Sequence, residues 1–65
     1  MPVKQYSVWS VTDKAWCGIS PNHFLQLRDT PFVNMTCTDP VVARLRARSL
    51  AREFPDHVFV ALEVN

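Results

Sequence analysis

Apolar residues recur along this chain at two spacings, every second position and every third to fourth, and the two fall in separate blocks. Residues 4–12, Lys-Gln-Tyr-Ser-Val-Trp-Ser-Val-Thr, are rich in β-branched and aromatic types and read as a strand. Tyr6 and Val8 point one way in it, Trp9 and Val11 the other. Asp13-Lys14 reads as a turn, Ala15-Trp16-Cys17 as a short returning strand, and residues 18–22 as a loop around Ser-Pro-Asn. Residues 23–28 alternate, with Leu25 and Leu27 on one face. After a turn at Asp29-Thr30-Pro31, residues 32–37 alternate again, with Val33, Met35 and Cys37 together. Residues 57–64 form the last strand. Val58, Val60, Leu62 and Val64 make an unbroken apolar row there, and His57, Phe59, Ala61 and Glu63 take the opposite face.

Between these blocks the period changes. Asp39 suits an N-cap, because its carboxylate can accept from free backbone N–H groups, and Pro40 then falls at the first helical position, where its missing N–H costs nothing. A helix is predicted from there to about Phe54, stopped by Pro55. Ala43, Ala47, Leu50, Ala51 and Phe54 share one face of it. Three of the five are Ala, so the helix can lie close against a sheet. The order is strands, helix, strand. It predicts one small α+β domain over residues 1–65: two layers, with an antiparallel sheet of three to four strands and one helix across one face.

Composition agrees with folding. The chain has 65 residues, 48% of them hydrophobic and 20% charged, with one Gly and five Pro. A domain of this size buries only about 60% of the surface its unfolded chain exposes, so its stability is small unless a partner covers one face. The formal net charge of +1 provides no global basic field for nucleic acid. Residues 1–10 carry no signal-peptide pattern, and no apolar run approaches a membrane span, so a cytoplasmic protein is expected. In a reducing compartment Cys17 and Cys37 are expected as free thiols beside apolar neighbours.

Residues able to support catalysis or bind metal do not form a motif. Cys17, His23, Cys37 and His57 could ligate zinc, but structural zinc sites pair ligands at short spacing, and here at least five residues separate any two. Asp56-His57 suggests a dyad, with Ser20 or Ser49 as nucleophile. Neighbours on a strand point to opposite faces, however, and so small a domain has little room for a pocket. The single glycine, Gly18, excludes a glycine-rich phosphate cradle. No catalytic residue, metal or cofactor is expected.

Surface patterns carry more information. Arg44, Arg48 and Arg52 follow i, i+4, i+8 on the helix face opposite the Ala/Leu/Phe stripe, with Val41 and Leu45 beside them and no interleaved acid. A solvated face is one reading. Bidentate contact with carboxylates of a protein partner is the second, and phosphate of a nucleic acid the third. The outward sheet face is the other surface. If the row Val58, Val60, Leu62 and Val64 faces the helix, Phe59 faces away, and Phe32 joins it if Val33 and Met35 pack inward. An aromatic open sheet would serve homodimerisation, docking on another protein, or stacking of single-stranded nucleic acid.

The open strand Tyr6-Ser7-Val8-Trp9-Ser10-Val11, and the run Ala47-Arg48-Ser49-Leu50-Ala51-Arg52-Glu53-Phe54-Pro55 leading into Val58-Phe59-Val60, give the chain a general character. In size and style it resembles the very small proteins encoded by phages and mobile elements, anti-CRISPR proteins among them. The resemblance implies a non-enzymatic inhibitor that blocks a host protein or nucleoprotein complex by occluding a surface. The alternatives are a small nucleic-acid-binding accessory protein that uses the arginine helix, and a homodimeric structural module.

Overall fold

The structure is a computed structural model that describes residues 3–64. Strand β1, Gln5–Ser10, turns through residues 11–14 into β2, Ala15–Ile19, with Lys14 at a φ of 53° closing the turn. The hairpin pairs Trp9 with Trp16 and Ser10 with Ala15. Strand β3, Leu25–Arg28, continues antiparallel beside β2. After the helix, β4, Phe59–Val64, returns antiparallel along the other side of β1. The sheet order is β3-β2-β1-β4, with one helix against it, a two-layer α+β domain as predicted.

The helix α1, Pro40–Glu53, begins and ends where its signals predict. Asp39 Oδ1 accepts from Val41 N–H at 2.9 Å, and Pro40 occupies the first turn. The Phe54 N–H bonds back to Leu50 C=O, and Pro55 prevents a further turn. α1 lies over β1 and β4. Ala43, Ala47 and Leu50 are buried against them, whereas Ala51 stands exposed at the margin of that face.

The strand registers sort the side chains into two sets. Val8, Cys17, Ile19, Phe59 and Ala61 face the helix, and Ser7, Trp9, Trp16, Val60 and Leu62 face away from it. The core is Val8, Cys17, Ala47, Leu50 and Phe59, with Ile19, Leu25, Met35 and Phe54 packed around it. This reverses the expectation for the last strand. Phe59 is only 9% exposed beneath the helix, while Val58 and Leu62 of the apolar row are 57% and 40% exposed. The physical reason is volume. A helix face built on Ala43 and Ala47 brings little bulk of its own, so close packing needs a large side chain from the sheet, and Phe59 supplies it. Phe59 is therefore not part of an outward partner face.

Residues 32–37 also depart from the predicted strand. Val33–Met35 is a single 3₁₀ turn, with Val33 88% exposed, and only Cys37 pairs, as an isolated bridge to Tyr6. Local hydrogen bonds outweigh the alternation. Thr36 Oγ1 donates to Phe32 C=O at 2.7 Å, and the Arg28 guanidinium donates to the carbonyls of Thr30 and Pro31. Phe32 does lie on the outward face. A Cβ at Gly18 would come within 2.7 Å of its ring, and the Arg28 guanidinium sits 3.9 Å from the ring centre. The ring thus rests on bare β2 backbone, which explains why the one glycine is in a strand. Ser7 Oγ, fully buried on this same face, donates to Met35 C=O at 3.4 Å. The chain itself therefore covers part of the outward sheet face.

Burying Phe59 gives a testable consequence. Phe59→Ala should cost about 3–5 kcal/mol, comparable with the whole stability of so small a domain. Phe59→Asp should abolish the thermal unfolding transition. Circular dichroism melts read both, and a cooperative, near-native melt for Phe59→Asp would mean that the ring faces solvent.

Candidate partner-binding site

The outward face of α1 is set by the helix period and the buried Ala/Leu stripe. Arg44, Arg48 and Arg52 are all exposed on it, spanning about 12 Å along the axis. Val41 and Leu45 lie among them, 55% and 57% exposed. Among the described residues the ion pairs are Lys4 with Glu63 and His57 with Asp13, and none of these arginines is in one. The face combines unpaired planar cations with apolar side chains, a combination suited to bidentate contact with carboxylates or phosphates.

The open sheet provides a second surface. Trp9 and Trp16, opposite each other in the hairpin, pack edge to face with ring centroids 5.1 Å apart. Val60 and Leu62 lie on the same face across β1. Sequence reasoning did not pair the two tryptophans, although a hairpin turning over residues 11–14 sets 9 opposite 16. Phe32 belongs to this side, at the β2 end, where Arg28 caps its ring.

A third cluster links the β1–β2 turn to the start of β4. Ser10 Oγ donates to Asp13 Oδ2 at 2.7 Å, Asp13 N–H donates to Ser10 Oγ at 3.1 Å, and His57 Nδ1 donates to the same Asp13 oxygen at 2.6 Å. Val58 N–H donates to Thr12 Oγ1 nearby. The partner of His57 is thus Asp13, 44 positions away, and not the adjacent Asp56. The carboxylate stands between hydroxyl and imidazole, whereas nucleophilic catalysis needs the imidazole in the middle to take the hydroxyl proton. Ser10 is fully buried, so the set works as a clamp that closes the turn onto the sheet. The Ser10 hydroxyl does most to hold the Asp13 carboxyl below its usual 3.8; burial opposes it, and the His57 hydrogen bond and charge add to the lowering.

A groove of about 240 Å³ runs between α1 and β2, lined by Ile19, His23, Met35, Arg46, Leu50 and Glu53. Arg46 Nη1 is buried without a hydrogen-bond partner, but it is closed off from solvent and so is not presented to a ligand there. The four possible zinc ligands are dispersed: Cys17 lies in the core and His57 on Asp13, and no three His, Cys, Asp or Glu residues gather among the described residues. Both cysteines are free thiols. No helix among the described residues is long and apolar enough to cross a membrane. The chain matches no family model, no curated protein and no solved structure.

Two outcomes follow. Because Asp13 titrates lower in the folded chain than its usual 3.8, it adds stability above that value and loses it as the pH falls through the folded value. Melts at stepped pH should show a steeper acid loss for the wild type than for Asp13→Asn, with the curves converging at the acid end; parallel curves would contradict the clamp. Cys17 is buried, and burial together with the Asp13 charge pushes its thiol up to about 11. A thiol reagent at neutral pH should therefore label Cys37 first, and Cys17 only after denaturation. Equal labelling of both in the native state would contradict that burial.

Proposed function

We propose that this protein is a non-enzymatic binder that docks the outward face of α1 on an acidic surface of a partner and blocks that surface by covering it. The observation that supports this reading is the helix face itself: Arg44, Arg48 and Arg52 exposed, with no acid among the described residues paired to any of them, around exposed Val41 and Leu45. A face serving only for solubility would mix signs, because scattered Lys and Glu keep a surface soluble without a one-sided field. Apolar residues between the cations add contact area that water does not reward. The resemblance in size and style to phage-encoded inhibitors of the anti-CRISPR type points to a host protein or nucleoprotein complex as target and the host cytoplasm as the place of action. Against catalysis stand the order of the Ser10–Asp13–His57 cluster and its buried hydroxyl.

The test is the triple substitution of Arg44, Arg48 and Arg52 by Glu. Helicity should stay nearly unchanged, since Glu and Arg have similar helix propensity. Binding to a target captured by the wild type should be lost. Wild-type binding by the triple variant would reduce the stripe to a solvated face. Salt separates the two kinds of acidic surface. Phosphate contacts on duplex DNA give a log–log slope near ~0.9 per phosphate neutralised, whereas carboxylate contacts act mainly on the association rate.

A further inference from the structure

β4 is an outer strand of the sheet, and its inner pairing determines which backbone groups point outward. Val11 N–H donates to Val58 C=O at 2.8 Å, across the β1–β4 side. Tyr6 exchanges its N–H and C=O with Cys37, on the other side of β1. Backbone groups alternate sides along an antiparallel strand, so Ser7, Trp9 and Val11 face β4, and Leu62, Val60 and Val58 answer them. Phe59, Ala61 and Glu63 therefore aim N–H and C=O at the open edge.

Such an edge is a template for another strand unless it is blunted by shortness, Lys, Pro or a bulge. β4 is not short and has no Lys, Pro or bulge; its one charge is Glu63, near its C-terminal end. It runs six residues as Phe-Val-Ala-Leu-Glu-Val and pairs with β1 without interruption. The opposite edge, β3, is blunted: four residues, including Gln26 and Arg28.

We propose that two copies of this chain pair through β4, antiparallel about a twofold axis at Ala61, to make one continuous sheet. Ala61 then meets Ala61 of the second copy, and Phe59 meets Glu63, each a pair that exchanges two hydrogen bonds. This register uses all three outward-facing residues. It is not displaced toward His57, whose N–H is already given to Phe54 C=O. On the face away from the helix, Val60 comes opposite Leu62 and Val58 opposite Val64. Every such cross-strand pair is apolar, and the exposed Val58 and Leu62 gain cover. On the helix side each Glu63 meets Phe59, so the two carboxylates do not oppose each other. The outward row of the strand is thus its own complement, and the helix side brings no like charges together, which is why a second copy is the occupant. The pairing does not depend on the proposed role of α1.

Sedimentation velocity from micromolar to millimolar concentration, with residue-resolved amide hydrogen exchange on the same samples, tests the pairing. The mass should double with concentration, and the Phe59, Ala61 and Glu63 amides should gain protection in step. Ala61→Pro removes an outward N–H without touching the β1 ladder, and should weaken association by about tenfold or more. Leu62→Lys, on the opposite face, should act in the same direction if the proline variant does not fold. A monomer at every concentration would overturn the proposal, and so would a dimer whose edge amides exchange freely. Edge protection that appears only when an unrelated protein's strand is added would overturn it as well.

Discussion

The close approach of α1 to the sheet at Ala43 and Ala47 is the constraint on which the other features rest. With so little side chain on the helix, the space between the layers must be filled from below, and Val8, Cys17 and Phe59 fill it. Of these only Phe59 is large, and its inward position orients the whole of β4, because side chains alternate along a strand that pairs without a bulge. Once Phe59 is inside, Val60 and Leu62 must be outside. The apolar surface away from the helix is thus a consequence of a helix face made of alanine.

The same geometry separates the two surfaces available to partners. The helix turns Arg44, Arg48 and Arg52 outward on one side of the molecule, and the sheet presents Trp9, Trp16, Val60 and Leu62 on the other. A chain this short cannot cover both sides of a four-stranded sheet with one helix. It covers part of the far side with its own segment before α1, seating Phe32 on Gly18 and the 3₁₀ turn over Ser7. What remains open is the area around Trp9, Trp16, Val60 and Leu62, which reaches the unprotected edge.

Local signals made the helix and its arginines legible in the sequence. The Asp39 cap, Pro40, the Pro55 stop and the i, i+4, i+8 spacing each act within a turn or two, and each is found where it was expected. The last strand was legible as a strand but not as to its inner face. Its two rows are both apolar enough to be buried, and the choice between them depends on the helix surface opposite, a contact distant in sequence. Residues 32–37 misled for a different reason: alternation there competes with hydrogen bonds from Thr36 and Arg28 that a periodicity argument does not weigh. The Asp13–His57 contact had no sequence signal, because it depends on the register between β4 and β1.

The central claim is the inward position of Phe59, and nuclear Overhauser effects between side chains test it most directly. The account predicts strong contacts from the Phe59 ring to the methyl groups of Ala47 and Leu50, and none from Val60 or Leu62 to the helix. Contacts from the Val60 and Leu62 methyls to Ala47, with the Phe59 ring silent toward the helix, would contradict it.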